Sequence, residues 1–536
     1  MSLTTIKGAA VAALVSMQAF HALAESPLTL LAGQPVTVTV EANMARRVFV
    51  PRADAGDYLK GRLAVSAGRF DLDLVDAKGD HLRRFAADAG GAVDFQFIAA
   101  DPERRLVVTA KQPNGSYSLV VDTRVAQADQ RPPPPSYLSR IVSDAAATFA
   151  AEKSTEAFWQ IVTQRGAPLV EDGLGGNKIV TFVGRGAKRN IRLFGAPSGD
   201  HEELLPLAGS DIWFRSFVVP TSTRLSYQLA FDVPDLPGTA RERRVAILAT
   251  AKADPLNHHP WPADAIDAYN QDSVLELAEA PPQPWVEDKD NPQGQLTSFS
   301  MASARLGNTR QVTIYRPAGF RPDTEENVLL FVFDADEYLK RVPLPRILDN
   351  MIAAGVVPPT VAVFVANPDR EARARELPAN DQFADFMAEE LLPRILRETG
   401  LPPDPGRTVL AGSSYGGLAS ATVAMRHPEA FGNVLSMSGS FWWSPAGTPA
   451  ERSEYIAGLF TQGPHLPLRF FLSAGLFETA SGGTAGILET NRHLRDVLTA
   501  KKMPVFYREY AGGHDYLVWR GIISDGLIAL FPGRHK

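Results

Sequence analysis

The stretch Arg407-Thr408-Val409-Leu410-Ala411-Gly412-Ser413-Ser414-Tyr415-Gly416-Gly417 constrains this chain more than any other. A short β-branched and aliphatic run, the signal of a buried strand, breaks at Gly412-Ser413-Ser414-Tyr415-Gly416, a G-x-S-x-G pentapeptide. That spacing puts Ser414 at the tip of a tight strand-to-helix turn, where a side chain at Gly412 or Gly416 would collide with neighbouring backbone. Residues 418–425 read as the helix that follows, so its N-terminus points at the serine and favours negative charge developing there. The bare pattern also occurs in ordinary Gly/Ser turns. What points to a nucleophile is the strand before it, the helix after it and the partners downstream.

Those partners come in order. Residues 466–473 read as another buried strand, and Ala474-Gly475-Leu476-Phe477-Glu478 leaves its end. A last short strand at 505–508 leads into Ala511-Gly512-Gly513-His514-Asp515. Ser414, Glu478 and His514 follow the nucleophile–acid–base order of α/β-hydrolases. A serine hydroxyl is a poor nucleophile until a base takes its proton, and that base must be held in one tautomer by a third group. His514 is the expected base and Glu478 the expected orienter. Asp515 is the rival orienter, although adjacency to His514 points the two side chains apart.

At 536 residues the chain is long for one domain. The net charge of -6 is modest and gives no reason to expect nucleic-acid binding. With no cysteine, disulfides, thiol catalysis and thiolate metal sites are excluded, and nothing in the chain calls for a cofactor. Near the N-terminus, Lys7 precedes an apolar run over 8–20, and Ala22-Leu23-Ala24 supplies a small-x-small cleavage pattern. This reads as a signal peptide, residues 1–24, cut after Ala24, and predicts a periplasmic or secreted protein without stable membrane insertion.

The organisation expected is multidomain, with two all-β sandwich modules before a C-terminal α/β domain. Over 26–125 short alternating runs follow one another, with Phe70-Asp71-Leu72-Asp73-Leu74 among them, and Asn114-Gly115 signals a hairpin between 106–110 and 117–121. Residues 126–135, ending in four prolines, form a stiff linker. A second module spans 136–285, with a helix over 144–164 and then strands at 178–183, 190–194, 213–219 and 225–231, an immunoglobulin-like layout. In Asp254-Pro255-Leu256-Asn257-His258-His259-Pro260-Trp261 the paired histidines suggest a metal, but adjacent residues rarely bind one ion together. A Pro-punctuated loop packing Trp261 is the reading preferred, with no metal site. From 295 to 536 buried strands alternate with helices, among them strands at 328–333 and 360–366 and an amphipathic helix over 381–399. Ligands meet such a fold at the carboxyl edge of the sheet. The backbone N–H of Tyr415 is therefore one candidate oxyanion donor, and that of Asp336, after the 328–333 strand, is the other.

The C-terminal half resembles the enterochelin esterase family, siderophore esterases related to esterase D. The resemblance is carried by Phe333-Asp334-Ala335, Arg373-Ala374-Arg375-Glu376-Leu377-Pro378-Ala379-Asn380, the elbow, Ser438-Gly439-Ser440-Phe441-Trp442-Trp443, and Gly512-Gly513-His514-Asp515 with Trp519-Arg520. The second module is similar to that family's N-terminal domain through Phe158-Trp159, Asp211-Ile212-Trp213 and Asp254-Pro255-Leu256-Asn257. The first module loosely resembles pre-peptidase C-terminal accessory modules, and its ligand, if it has one, is unknown. Where the family typically has Gly after Asp334 this chain has Ala335, and where Pro often follows the acid it has Thr479, a departure that keeps a Ser414–His514 dyad open beside the triad.

The resemblance implies hydrolysis of the trilactone esters of a catecholate siderophore such as ferric enterobactin, iron-loaded or apo. A ferric tris-catecholate is strongly anionic, so Arg373, Arg375 and Arg520 are candidate clamps. Trp442, Trp443 and Trp519 are candidate walls of an aryl pocket. Two rival readings remain open at this stage. One is a carboxylesterase of the same fold acting on feruloyl, acetyl or other simple esters; the other is a non-catalytic exported binding protein.

Overall fold

The computed structural model describes residues 26–41, 45–130, 136–199, 201–449, 452–480 and 485–533. The expected signal peptide, residues 1–24, and the proline run at 131–135 lie outside the described residues. The chain divides into two compact units, Met1–Pro135 and Ser136–Lys536.

In the first unit a five-stranded sheet (Leu28–Leu30, Arg46–Pro51, Arg105–Ala110, Phe70–Val75, His81–Ala89) and a four-stranded sheet (Val36–Val40, Gly115–Val125, Tyr58–Ala67, Ala92–Ile98) share one core. Phe49, Phe70, Phe95 and Tyr117 fill it. Two sequence expectations fail here. Asn114 does sit in a left-handed turn (φ 61°), but the flanking strands do not pair with each other. Arg105–Ala110 pairs with Arg46–Pro51 and Phe70–Val75, whereas Gly115–Val125 pairs with Val36–Val40 and Tyr58–Ala67. The turn carries the chain from one sheet to the other. The alternation in Phe70–Val75 does not mark a wet face either, because all six residues are buried. Asp71 and Asp73 are tolerated because Lys111 Nζ lies 2.9 Å from Asp71 and Arg84 donates twice to Asp73.

The second unit opens with two helices, Arg140–Glu152 and Glu156–Arg165, where one was expected. The break falls at Lys153, in the left-handed region (φ 56°). Of Phe158, Trp159, Ile161 and Val162, the packing face the sequence offers, Ile161 is half-buried and the other three are buried. Two sheets follow. One contains Leu169–Asp172, Asn177–Gly184, Trp213–Pro220 and Leu205–Pro206; the other is built on Ile191–Gly195, Arg224–Phe231 and Asp272–Glu276. Val180, Phe182, Leu193, Tyr227 and Leu229 pack between them.

The last domain is an eight-stranded sheet in the spatial order Gln295–Ser303, Asn308–Arg316, Thr360–Val365, Val328–Phe333, Thr408–Ser413, Asn433–Met437, Arg469–Gly475 and Val505–Tyr510. Asn308–Arg316 is antiparallel to both of its neighbours, and the six strands from Thr360–Val365 onward are parallel to one another. Val328–Phe333, Thr360–Val365 and Thr408–Ser413 are buried throughout, as strands covered by helices on both faces must be. The helix expected over 381–399 widens into a π-helical turn at Phe386–Leu391 between Asp381–Asp385 and Leu392–Thr399. Pro393 lies just beyond that turn and has no N–H to give a four-residue register. No helix among the described residues is long and apolar enough to cross a membrane.

Candidate active site

Ser414 stands between the strand Thr408–Ser413 and the helix Tyr415–Arg426 with φ 58° and ψ -121°. A non-glycine residue holds such a conformation only where its surroundings fix it. Here the Ser414 N–H donates to the Met437 carbonyl at 3.0 Å, and the Ser440 N–H donates to the Ser414 carbonyl at 3.1 Å. A Cβ at Gly412 would come within 2.6 Å of the Gly416 carbonyl carbon, as expected. At Gly416, however, a Cβ would come no nearer than 3.4 Å to Phe333 and 3.6 Å to Asp334 Oδ2, ordinary contact distances, whereas one at Gly417 would lie 2.4 Å from Ser436 Oγ. The second glycine the turn cannot exchange is thus Gly417.

Glu478 and His514 are brought together from the ends of the last two strands. His514 Nδ1 lies 2.5 Å from Glu478 Oε1. The other carboxylate oxygen accepts from Ser438 Oγ at 2.7 Å and from the Gly475 N–H at 2.6 Å. Glu478 is buried, while the His514 side chain is 39 % exposed. Trp519 closes the network: its indole N–H donates to Ser438 Oγ at 3.1 Å, and its ring meets the imidazole edge-on, centroids 4.7 Å apart. Ser414 Oγ lies 3.3 Å from Ser440 Oγ.

The rival orienter is engaged elsewhere. Asp515 caps the helix Tyr516–Leu530 by accepting from the Val518 N–H, and its other oxygen accepts from the Ser226 N–H of the second module. Burial pushes its carboxyl up to about 6 despite those two donors.

After Val328–Phe333 the chain turns at Asp334 (φ 57°) into the short helix Ala335–Lys340. Asp336 falls in its first turn, where backbone N–H groups have no carbonyl of the helix behind them. The Asp334 carboxylate is gripped by Arg373 through Nε at 2.7 Å and Nη2 at 2.8 Å, with Asn367 Nδ2 at 2.7 Å. The Arg373 guanidinium also lies 5.7 Å from the Tyr415 ring centroid. Burial works against its charge, but Asp334 outweighs burial and holds the guanidinium above its ordinary range. Arg373 is therefore a brace between the two turns bearing the candidate oxyanion donors, not a free clamp.

Arg520 also departs from the clamp expectation. It donates to Gln283 Oε1 at 2.6 Å and lies 5.5 Å from the Trp261 ring centroid, against the second module. Burial, with Arg224 nearby, lowers its pKa. Arg375 keeps most of its side chain in water, 61 % exposed, beside Glu376 at 3.0 Å. Glu376 in turn makes a buried pair with Arg310, 2.5 Å away, so its helix is tied to the strand Asn308–Arg316.

The three tryptophans separate. Trp442 is 43 % exposed and tilts against Tyr415, centroids 6.3 Å apart. Trp443 packs inward, edge-on to Tyr455, and Trp519 is buried behind the histidine. Only Trp442 offers an open aromatic face beside the elbow; the other two are support.

Both histidines of the 254–261 loop are exposed. Gly166 leaves room for the His258 ring, and Trp261 lies under Arg341 and Arg520. Asp254 faces inward to Tyr227 Oη (2.7 Å) and Ser273 Oγ (2.8 Å, to its own N–H). Among the described residues Asp385, Glu389 and His427 do converge, yet Arg305 and Arg426 already neutralise the group. The hydrogen-bonding roles of Ser438, Asn367 and Ser226 were not legible in the sequence, since a single polar residue carries no pattern that names its partner.

Comparison with known proteins bears on the family. The family model Enterochelin esterase, N-terminal, matches residues 179–286, and the model Esterase matches residues 303–530. The chain is 32% identical over 419 residues to the iron(III) enterobactin esterase of Dickeya dadantii, covering 70% of this chain and 93% of that one. It is 30% identical to the iron(III) salmochelin esterase of Escherichia coli, over 69% of this chain and 92% of that one. Among solved structures, the enterobactin esterase of Shigella flexneri in the presence of enterobactin superposes with a TM-score of 0.56 at 28% identity, covering 71% of this chain and 98% of that one. Elbow, buried acid, histidine loop and these likenesses all lead to one statement: this chain belongs to the enterochelin esterase family of ester hydrolases.

Proposed function

We propose that this chain is a serine esterase that opens the ester bonds of a catecholate siderophore of the ferric enterobactin type. The observation carrying the chemistry is the 2.5 Å contact of His514 Nδ1 with Glu478 Oε1, downstream of a serine held at a strand-to-helix tip. With Nδ1 engaged, Nε2 is the nitrogen left to act as base. Ser414 Oγ attacks the ester carbonyl as His514 accepts its proton. The N–H groups of Tyr415 and Asp336 receive the developing oxyanion, and His514 returns the proton to the leaving alcohol. Water, activated by the same histidine, then frees the acid from the acyl-enzyme, so the chain's own residues suffice.

The substrate class rests on the relatives' activities and on the site's rim. Trp442 offers a face for an aryl group, and Arg375 is an exposed cation on the helix Arg370–Glu376 that also carries Arg373. In this reading residues 26–125 are an accessory β-sandwich of unknown ligand, 136–285 an immunoglobulin-like module and 295–536 the esterase domain. The protein acts outside the cytoplasmic membrane after removal of residues 1–24. Mass-spectrometric product analysis with ferric and iron-free siderophores tests the activity. The expected products are linear or shorter catechoyl-serine fragments from wild type and none from Ser414→Ala; failure to cleave either form while simple aryl esters are hydrolysed would overturn the substrate. Intact mass of periplasmic protein tests export, and retention of residues 1–24 there would refute it.

A further inference from the structure

We infer that the second module is a working part of the active site: Ala196 and the strand Arg224–Phe231 seat the loop Ala511-Gly512-Gly513-His514-Asp515 and so set where His514 stands. The inference rests on His514 being the base of the reaction proposed above.

The strand Ile191–Gly195 pairs with Arg224–Phe231 only as far as Gly195 opposite Tyr227. Beyond that point the edge toward Arg224 is left open. The histidine loop takes it up: the Arg224 N–H donates to the Ala511 carbonyl at 3.0 Å, and two residues on the Ser226 N–H donates to Asp515 Oδ2 at 3.2 Å. Alternate residues of a strand present their N–H groups to the same side, so this i, i+2 pair is what one strand edge can offer. The other side of the strand is occupied by Asp272–Glu276, and Glu276 holds the Arg224 guanidinium through both carboxylate oxygens. The donor strand is therefore held from its other side by contacts that do not involve the loop.

Both glycines of the loop answer to this seat. A Cβ on Gly513 would lie 2.4 Å from Ala196 Cβ, and one on Gly512 would lie 3.0 Å from the Arg224 carbonyl oxygen and 2.8 Å from Val518 Cγ2. Neither glycine has a positive φ, so close approach rather than backbone conformation demands the missing side chains. The residues on either side of His514 are thus clasped by the module, while the imidazole is aimed at Glu478 from the other direction. A shift of about 1 Å in a catalytic group can cost on the order of a hundredfold in rate.

The test is a compensating pair in the full-length protein, assayed with p-nitrophenyl acetate and ferric enterobactin. Gly513→Ala should lower kcat tenfold or more with KM within about threefold, and should slow fluorophosphonate labelling of Ser414 in parallel. Adding Ala196→Gly removes the opposing methyl and should restore both rates to within about threefold of wild type. A Gly513→Ala enzyme with wild-type kcat, or a double variant no better than the single at an unchanged melting temperature, would overturn the seat. If Gly513→Ala does not fold, Asp515→Asn carries the test. It loses one acceptor of the clasp and should lower kcat three- to tenfold without changing KM, and an unchanged kcat would count against the inference. Absence of siderophore cleavage by wild type would instead defeat the function proposed above, and p-nitrophenyl acetate turnover separates the two failures.

Discussion

His514 and Glu478 meet at 2.5 Å between Nδ1 and Oε1, from loops that leave adjacent parallel strands. The carboxylate has no slack. Its second oxygen already accepts from Ser438 and Gly475. Glu478→Gln must therefore face an NH2 either toward His514, favouring the wrong tautomer, or toward the Gly475 N–H, where two donors collide. A loss of about a thousandfold in kcat is expected, close to that of His514→Ala, by analogy with triad amide substitutions. Steady-state kinetics on both variants decide it; a loss under tenfold would leave a Ser414–His514 dyad.

Arg373 should act on kcat rather than on KM. Its guanidinium fastens Asp334, the turn before Asp336, and lies over Tyr415. Arg373→Gln loosens both oxyanion donors at once, and removing one such donor costs about a hundredfold. A ten- to hundredfold fall in kcat at nearly constant KM is expected. A rise in KM at constant kcat would restore the substrate-clamp role.

Under the proposed function, Arg375 and Trp442 are the exposed candidates for recognising an anionic aryl substrate. Arg375→Gln should raise KM for the ferric siderophore severalfold and flatten the salt dependence of kcat/KM, since exposed attraction is screened over about 8–10 Å. Trp442→Ala should raise KM for catechoyl substrates while leaving p-nitrophenyl acetate turnover nearly intact. Kinetics at two salt concentrations, with both substrates, check the pair.

Asp254 sets a pH dependence in the second module. Burial pushes its carboxyl up to about 6, against an unfolded value of about 3.9. The folded state therefore keeps a proton that the unfolded chain gives up, and this contribution to stability is lost as pH rises from about 4 through 6. Relative to Asp254→Asn, whose amide does not titrate, wild type should lose on the order of 3 kcal/mol between pH 4 and pH 7. Chemical unfolding of both proteins at the two pH values measures the difference, and parallel stabilities would contradict the buried, protonated state.

Much of this was legible because the elements near the nucleophile are forced ones. An all-apolar run such as Val328–Phe333 has few alternatives to a covered parallel strand, and the spacing of Gly412, Ser414 and Gly416 marks a turn before any partner is known. The roles of the arginines were not legible. An Arg-x-x-Glu-Leu helix looks like a cationic rim until Asp334, from another strand, is seen beneath Arg373, and Arg310 beneath Glu376. The misread hairpin at Asn114 has a similar cause. A turn residue fixes local backbone direction, whereas the sheet joined by the next strand depends on core partners such as Phe49 and Tyr117 that are far apart in sequence.

The interlock of the 196–226 region with the 511–515 loop has a practical side for anyone recombining relatives of this enzyme. Gene fragments joined near residue 290, where a family boundary would suggest a cut, would bring together halves whose Ala196, Ser226 and Gly513 were never matched. Chimeras crossed at Pro135 and Ser136 instead keep every one of those contacts within a single parent.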